Sequence, residues 1–308
     1  MIVEKQISFR RLLQVIWKEL ICIFLVSSIP VVLLIYFDLG HYTINASIPL
    51  VIGTAIAIFL GFQTNSAYER WWEARKLWGG VITESRNLVR LSHSYLSSQS
   101  NAGQTNAGQT LVREICYRQI AWSRLLDRTL KNLSFESHLD TLIADSDQLA
   151  MLKAAHDPLI RMLSLQSQAI GTMLRQQMID TRQAVAMEEV INRLTDYYGG
   201  CQRIKSTVFP AHYTFFTRVF IWVFLLLLAF SLPAHENANY ALIPAIFLIG
   251  WVFFMVEGIG SYMQDPFVNN RNVIPMQALS RNIERDLRAM IGETDLPEPI
   301  QPVEGALY

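Results

Sequence analysis

The 308-residue chain has little of what a soluble enzyme or a nucleic-acid-binding protein needs. Its 26 basic and 26 acidic residues cancel, and no block of like charge dominates any segment, so the electrostatic footprint that nucleic acid demands of a partner is missing. Cysteine is scarce. Cys22, Cys116 and Cys201 are odd in number and form no close pair, which excludes a disulfide framework or a metal site and leaves them as buried thiols. No two histidines stand four residues apart, there is no phosphate-binding glycine loop, and Gly258-Ile259-Gly260 is too short for a dinucleotide fingerprint. The expectation is a protein with no catalytic residues, no cofactor and no metal.

Positive charge is also absent from two particular places, the connections Asp38 to Asn45 and Ala234 to Asn239. Around them lie four apolar stretches, Leu20 to Phe37, Ala46 to Phe62, Phe215 to Pro233 and Tyr240 to Tyr262. Each is close to the ~20 residues that a helix needs to cross hydrocarbon ~30 Å thick. The run after Lys18 is too long for a signal-peptide core and is not followed by a small-residue cleavage site, so it reads as a retained membrane helix. Pro30 and Pro244 fall inside spans, where neighbouring groups can satisfy a freed carbonyl.

All of the basic residues lie on one side of these spans: four in residues 1–19, seventeen in 63–214, Arg218 at the entrance of the third span and four in 263–308. Positive charge stays in the cytoplasm, so both termini and the long middle segment are expected there. The middle segment has apolar residues at helical spacing, as in Leu159, Met162, Leu163 and Ile170, and predicts a bundle of helices. The fold class is therefore an all-α membrane protein with four transmembrane helices and a cytoplasmic helical bundle. The expected divisions are 1–62, 63–214, 215–262 and 263–308. The stretch SSQSNAGQTNAGQT at 97–110 reads as a solvated loop tip, Asn132 to His138 and Asp145 to Asp147 as junctions, and Asp157-Pro158 as a helix start. The proline-rich acidic end, LPEPIQPVEGALY, is expected to extend over a surface or to stay disordered.

Residues four apart share a helix face, so Thr54, Ile58 and Phe62 form a stripe that continues through Asn65, Ser66 and Glu69. Gly53, Ala55, Ala57 and Gly61 leave the remaining faces small enough for close helix packing in lipid. Copies of such a helix around an axis would stack the stripe into apolar rings. The same periodicity also describes a helix that faces lipid or a neighbour. Beyond Phe62, Arg70, Glu73, Arg75 and Lys76 read as a solvated face of the bundle, with Trp71, Trp72 and Trp78 at the interface or packed between helices. Glu257, a carboxylate within the fourth span, is expected to pair with Arg218.

The run IPLVIGTAIAIFLGFQTNSAYERWWEARKLWG at 48–79 resembles the signature of the bestrophin family, in particular its bacterial members. IKSTVFPAHYTFFTR and MVEGIGSYMQDPF resemble the family's other landmarks, in order along essentially the whole chain. The resemblance implies a homopentameric channel for small monovalent ions, embedded in membrane lipid, whose neck rings fall on Thr54, Ile58 and Phe62. Thr54 departs from the larger apolar residue usual at the first ring, which implies a wider or better hydrated outer neck. The family's cytoplasmic aperture matches Ile179, followed by Asp180, in a looser motif where Ile179 equally reads as a buried packing residue. Eukaryotic members hold calcium through an acidic cluster after the Pro-Phe of the last landmark. Here VNNRNVIPM comes next, without the hard-cation ligands that calcium needs, and no calcium gating is expected.

The neck stripe is uncharged, so selectivity would have to come from Asp180, Glu69 or Asn65 near the pathway. The family contains both anion-selective members and bacterial ones that pass cations. The acidic candidates favour cations, with an anion channel of the same architecture as the alternative. A secondary transporter is a further reading, although internal repetition is weak. A membrane scaffold whose helical domain binds a regulator is the third.

Overall fold

Apolar runs of spanning length and 3.6-residue periodicity together produce an all-helical chain. A computed structural model describes residues 9–37, 44–98, 106–134, 143, 146–207, 211–231, 240–267 and 274–302. Among the described residues there are nine helices: α1 (Phe9–Tyr36), α2 (Ser47–Ser98), α3 (Asn106–Leu130), α4 (Ser146–Ala154), α5 (Pro158–Arg175), α6 (Thr181–Ser206), α7 (Ala211–Ser231), α8 (Leu242–Met263) and α9 (Met276–Met290). Four contain segments long and apolar enough to cross a membrane, within Trp17–Tyr36, Ser47–Leu96, His212–Ser231 and Leu242–Met263. Three of these match the expected spans to within a few residues, whereas α2 contains the expected span up to Phe62 and runs on without a break to Ser98. Pro30 lies inside α1, whereas Pro244 falls in the first turn of α8, where its missing N–H breaks no intrahelical bond.

The described residues divide into two compact units, one drawn from 9–71 and 211–265 and the other from 72–207, 266–267 and 274–302. The division within α2 falls after Trp71, and residues 274–302 group with 72–207. In the membrane unit, α1 packs on α7 and α8, and α7 packs on α8. Its core gathers Ile23 and Val31 of α1, Ile56 and Leu60 of α2, Ile221 and Leu225 of α7, and Ile246 of α8. Glycine permits the closest approach. A Cβ on Gly250 would stand 2.8 Å from Ile23 and 2.9 Å from Leu225, nearer than packed carbon atoms come.

In the second unit α3 packs against α9, α5 and α6. Ile115, Ile120, Trp122 and Leu126 of α3 join Met162, Leu194, Ile283 and Leu287 in one core, and the Trp122 indole donates to the Leu159 carbonyl at 3.2 Å. Trp78 is fully buried here, while Trp72 stays exposed. Asp157 caps α5 as expected, accepting from the N–H groups of Leu159 (3.0 Å) and Ile160 (3.2 Å) with Pro158 in the first turn.

One expectation is corrected. The second NAGQT copy, 106–110, forms the first turns of α3 rather than a loop; the first copy, 101–105, lies outside the described residues. Identical pentapeptides carry identical propensity, so the second copy owes its helix to its C-terminal neighbours: Leu111, Val112 and Ile115 give it an apolar face to join. The tail takes the first of its two expected outcomes: it is extended up to residue 302, with Leu296, Pro297, Pro299 and Ile300 half-buried. The Glu293 carboxylate accepts from the Tyr117 hydroxyl at 2.8 Å and from Arg288 Nε at 2.5 Å, with Arg113 at 3.3 Å. Burial would raise the Glu293 pKa, but the Tyr117 hydrogen bond and the two guanidinium groups outweigh it and hold the carboxyl below its usual value.

The junction expected at Asn132 to His138 shows its first residues as a turn in which Asn132 takes the left-handed conformation, φ 56°. The segment 268–273, where the absence of calcium ligands was inferred, lies outside the described residues.

Candidate permeation surface

The membrane half of α2 has a buried seam and an exposed face. Gly53, Ile56, Leu60, Gln63 and Ala67 are buried, at spacings of three and four residues that follow one side of the helix. The Gly53 side of this seam meets the Phe224 ring, which lies 2.8 Å from where a Cβ would be. Next to the seam, the Tyr213 hydroxyl donates to the Phe59 carbonyl at 3.2 Å. Gln63 Nε2 donates to Thr214 Oγ1 at 3.4 Å, which also receives Gln264 Nε2 at 3.2 Å. Nothing in the composition singled out Gln63 as a buried residue. Its position three residues after Leu60 and seven after Ile56 was the available signal.

With that side held, the opposite face carries the predicted stripe. Thr54, Ile58, Phe62, Asn65, Ser66 and Glu69 are not buried in the single chain, with Ile58 exposed by 56% and Phe62 by 68%. Exposed apolar side chains of this size along a spanning helix present a surface either to lipid, to another helix or to a pore. Thr54 Oγ1 donates its proton to the Leu50 carbonyl at 2.9 Å, so the hydroxyl turns its lone pairs and methyl group outward. One turn beyond Phe62, Asn65 Nδ2 donates to Glu69 Oε1 at 3.0 Å, joining the two polar candidates to each other. Ala55, Ala57 and Gly61 are exposed as well, and a Cβ on Gly61 would meet nothing.

The residues that the resemblance assigns to the second constriction lie at the corner between α5 and α6. Ile179 is only 3% exposed and packs in the bundle core. The cause is a helix ending of the Schellman type: Gln177 takes φ 54°, its N–H bonds to the Leu174 carbonyl at 3.0 Å, and the Met178 N–H bonds to the Met173 carbonyl at 2.8 Å. This turn tucks Met178 and Ile179 inward. Asp180 then caps α6, accepting from the Gln183 N–H at 2.8 Å while the Gln183 side chain accepts from the Asp180 N–H at 3.0 Å. The residues this corner leaves exposed include Asp180 and Thr181. In the single chain Ile179 is a packing residue.

The expected partner of the intramembrane carboxylate is present. Glu257, 2% exposed, accepts from Arg218 Nε at 3.0 Å and from the Ser261 hydroxyl at 2.7 Å. Two donors in one spanning layer satisfy a charge that would otherwise be costly there. In the bundle, Glu73 of α2 pairs with Arg203 of α6 at 2.5 Å, an exposed ion pair between helices rather than one within the 70–76 segment. No group of three or more His, Cys, Asp or Glu side chains able to hold a metal occurs among the described residues.

The sequence pattern described as "Bacterial/Fungal Bestrophin protein" matches residues 6–289. Among known proteins, the chain is 27% identical over 282 residues to the voltage-dependent anion channel-forming protein YneE of Salmonella typhi, covering 92% of this chain and 88% of that protein. It is 28% identical over 252 residues to the protein of the same name in Escherichia coli K12, covering 82% and 79%. The fold is similar to the crystal structure of a bacterial bestrophin homologue from Klebsiella pneumoniae, with a TM-score of 0.82, 26% identity and coverage of 90% of this chain and 99% of the other. A match over nearly the full length, together with the four spanning helices and the helical unit they accompany, establishes that the chain belongs to the bacterial/fungal bestrophin family, a family of membrane ion channels.

Proposed function

We propose that this chain forms a homopentameric channel for small monovalent anions in the inner membrane, with both termini in the cytoplasm. The observation that carries the reading is the exposed, uncharged stripe of Thr54, Ile58 and Phe62 on a spanning helix whose opposite side is fixed by its own unit. Around a five-fold axis the stripe makes three stacked rings, and the exposed Ala55, Ala57 and Gly61 allow neighbouring copies to approach. The orientation follows from the basic residues, which all lie on one side of the spans.

The anion reading replaces the cation expectation. The similar proteins of Salmonella typhi and Escherichia coli bear the name of anion channel-forming proteins. The carboxylates that favoured cations are engaged: Asp180 caps α6, and Glu69 accepts from Asn65. Both remain exposed, which keeps cation conduction as the second reading. At the cytoplasmic exit, the exposed Thr181 and its neighbours take the place of Ile179 as the proposed lining.

The test is the reversal potential of the purified protein in a planar bilayer under a KCl gradient. Reversal near the chloride potential is expected, and reversal near the potassium potential overturns the anion reading. In the same recording Thr54→Ile, which makes the outer ring larger and drier, is expected to lower unitary conductance several-fold. An unchanged conductance would remove Thr54 from the neck.

A further inference from the structure

Within the membrane unit, α1, α7 and α8 enclose a cavity of about 350 Å³ whose chemistry the pore does not use. Its wall is aromatic, with Trp222 and Phe254 in contact at a centroid distance of 4.6 Å and Trp251 beside them. Its polar groups include Arg218 and Glu19, with Glu257, Ser261 and Tyr262. Arg218 meets Glu257 through Nε alone, and its side chain is 52% exposed. Among the described residues no hydrogen bond occupies its two terminal amino groups. Glu257 is already satisfied by Arg218 and Ser261, so those amino groups are donors without a protein acceptor.

Arg218 lies seven residues into α7, ~10 Å along the helix from its start. At that depth a guanidinium reaches outward to the headgroup layer, and the strong acceptor it meets there is a lipid phosphate. Trp17 and Tyr262, both exposed at this end of the spans, are residues of the kind that sit at the membrane–water boundary. Glu19 selects among headgroups. Arg218 and Glu257 cancel, so Glu19 leaves the cavity with one net negative charge, which repels a purely anionic headgroup and attracts an ammonium group. The aromatic wall accommodates an acyl chain.

We propose that this cavity binds a zwitterionic aminophospholipid, with its phosphate on Arg218, its ammonium towards Glu19 and an acyl chain along Trp222, Trp251 and Phe254. The site lies apart from the α2 stripe and does not depend on which ion the channel conducts.

The full-length protein in nanodiscs of equimolar phosphatidylethanolamine and phosphatidylglycerol, with retained lipid counted by native mass spectrometry, tests the site. Phosphatidylethanolamine is expected in several-fold excess over the bath ratio. Glu19→Gln is expected to bring the ratio back towards the bath value without reducing total lipid, and Trp251→Ala to reduce total lipid. Arg218→Lys keeps a cation for Glu257, so the protein folds, yet is expected to lower retention because the forked guanidinium donors are gone. A wild-type ratio equal to the bath, as when another copy of the chain covers the cavity, overturns the proposal. So does preferential retention of phosphatidylglycerol, or a preference unchanged in both Glu19→Gln and Arg218→Lys.

Discussion

Ile120 and Ile221 are the same residue type, each fully buried, and each sits in the core of one of the two units. They are stabilised by different physics. Ile120 is removed from water on folding, so its burial carries the full hydrophobic term. Ile221 leaves hydrocarbon for a protein interior, where only packing is gained. The two units reflect this difference in composition. The membrane unit depends on glycine contacts and on the Arg218–Glu257 pair. The bundle carries a dense polar network in which Glu284 accepts from Arg124 and is approached by Arg281 at 3.7 Å and Arg288 at 3.8 Å.

Truncating the two isoleucines breaks the comparison most directly. Ile120→Ala should destabilise the bundle by ~2–5 kcal/mol. Ile221→Ala should cost clearly less, because its unfolded reference is still in lipid. Denaturation of both variants in lipid nanodiscs measures the difference, and equal losses would show that the membrane unit is held by the same term as the bundle.

Overpacking comes next in size. Gly250→Val drives a side chain into Ile23 and Leu225 and should cost ~1–3 kcal/mol. Gly199→Ala, in an exposed part of α6 where a Cβ meets nothing, should stabilise by ~0.5–1 kcal/mol. Thermal midpoints distinguish the two signs.

A smaller effect concerns pH. Because the folded Glu293 carboxyl is held below its ordinary value of 4.5, its stabilising contribution is present above that value. It is lost as pH falls through the lower, folded value. The tail should then detach, so limited proteolysis near residues 296–302 should accelerate in acid, and Glu293→Gln should abolish that acid dependence while cleaving readily at neutral pH.

Smallest is an effect on reactivity rather than stability. Burial, with Glu293 adding to it, pushes the Cys116 thiol up to about 12, and burial pushes Cys201 up to about 12 as well. Neither should be alkylated at pH 8 in the folded protein, and both should label once the bundle is unfolded, read by mass spectrometry.

Much of the fold was legible because its signals are local. Four apolar runs identified the spans, Asp157-Pro158 marked a helix start, and Glu257 with Arg218 were paired from depth alone. Membership in a channel family also agrees with the reading of the chain as no enzyme. Where the outcome depended on neighbours far along the chain, the sequence was a poorer guide. The anchored tail and the buried Gln63 follow from contacts with other helices, and the repeated NAGQT from the apolar face it joins. The burial of Ile179 in the single chain follows from a corner that is local, with Asp180 and Gln183 forming a capping box.

The sequence by itself determined that this chain crosses a membrane, where it crosses and which face of α2 could line a pore, because hydropathy and the helical repeat act over a few turns. Only the tertiary structure decided which side of α2 is fixed, that Ile179 turns inward in the single chain, that Arg218 meets no acceptor at its two terminal amino groups among the described residues and that Glu293 anchors the start of the tail. Each of those depends on groups brought within a few ångströms of one another from distant parts of the chain, and no local pattern encodes that distance.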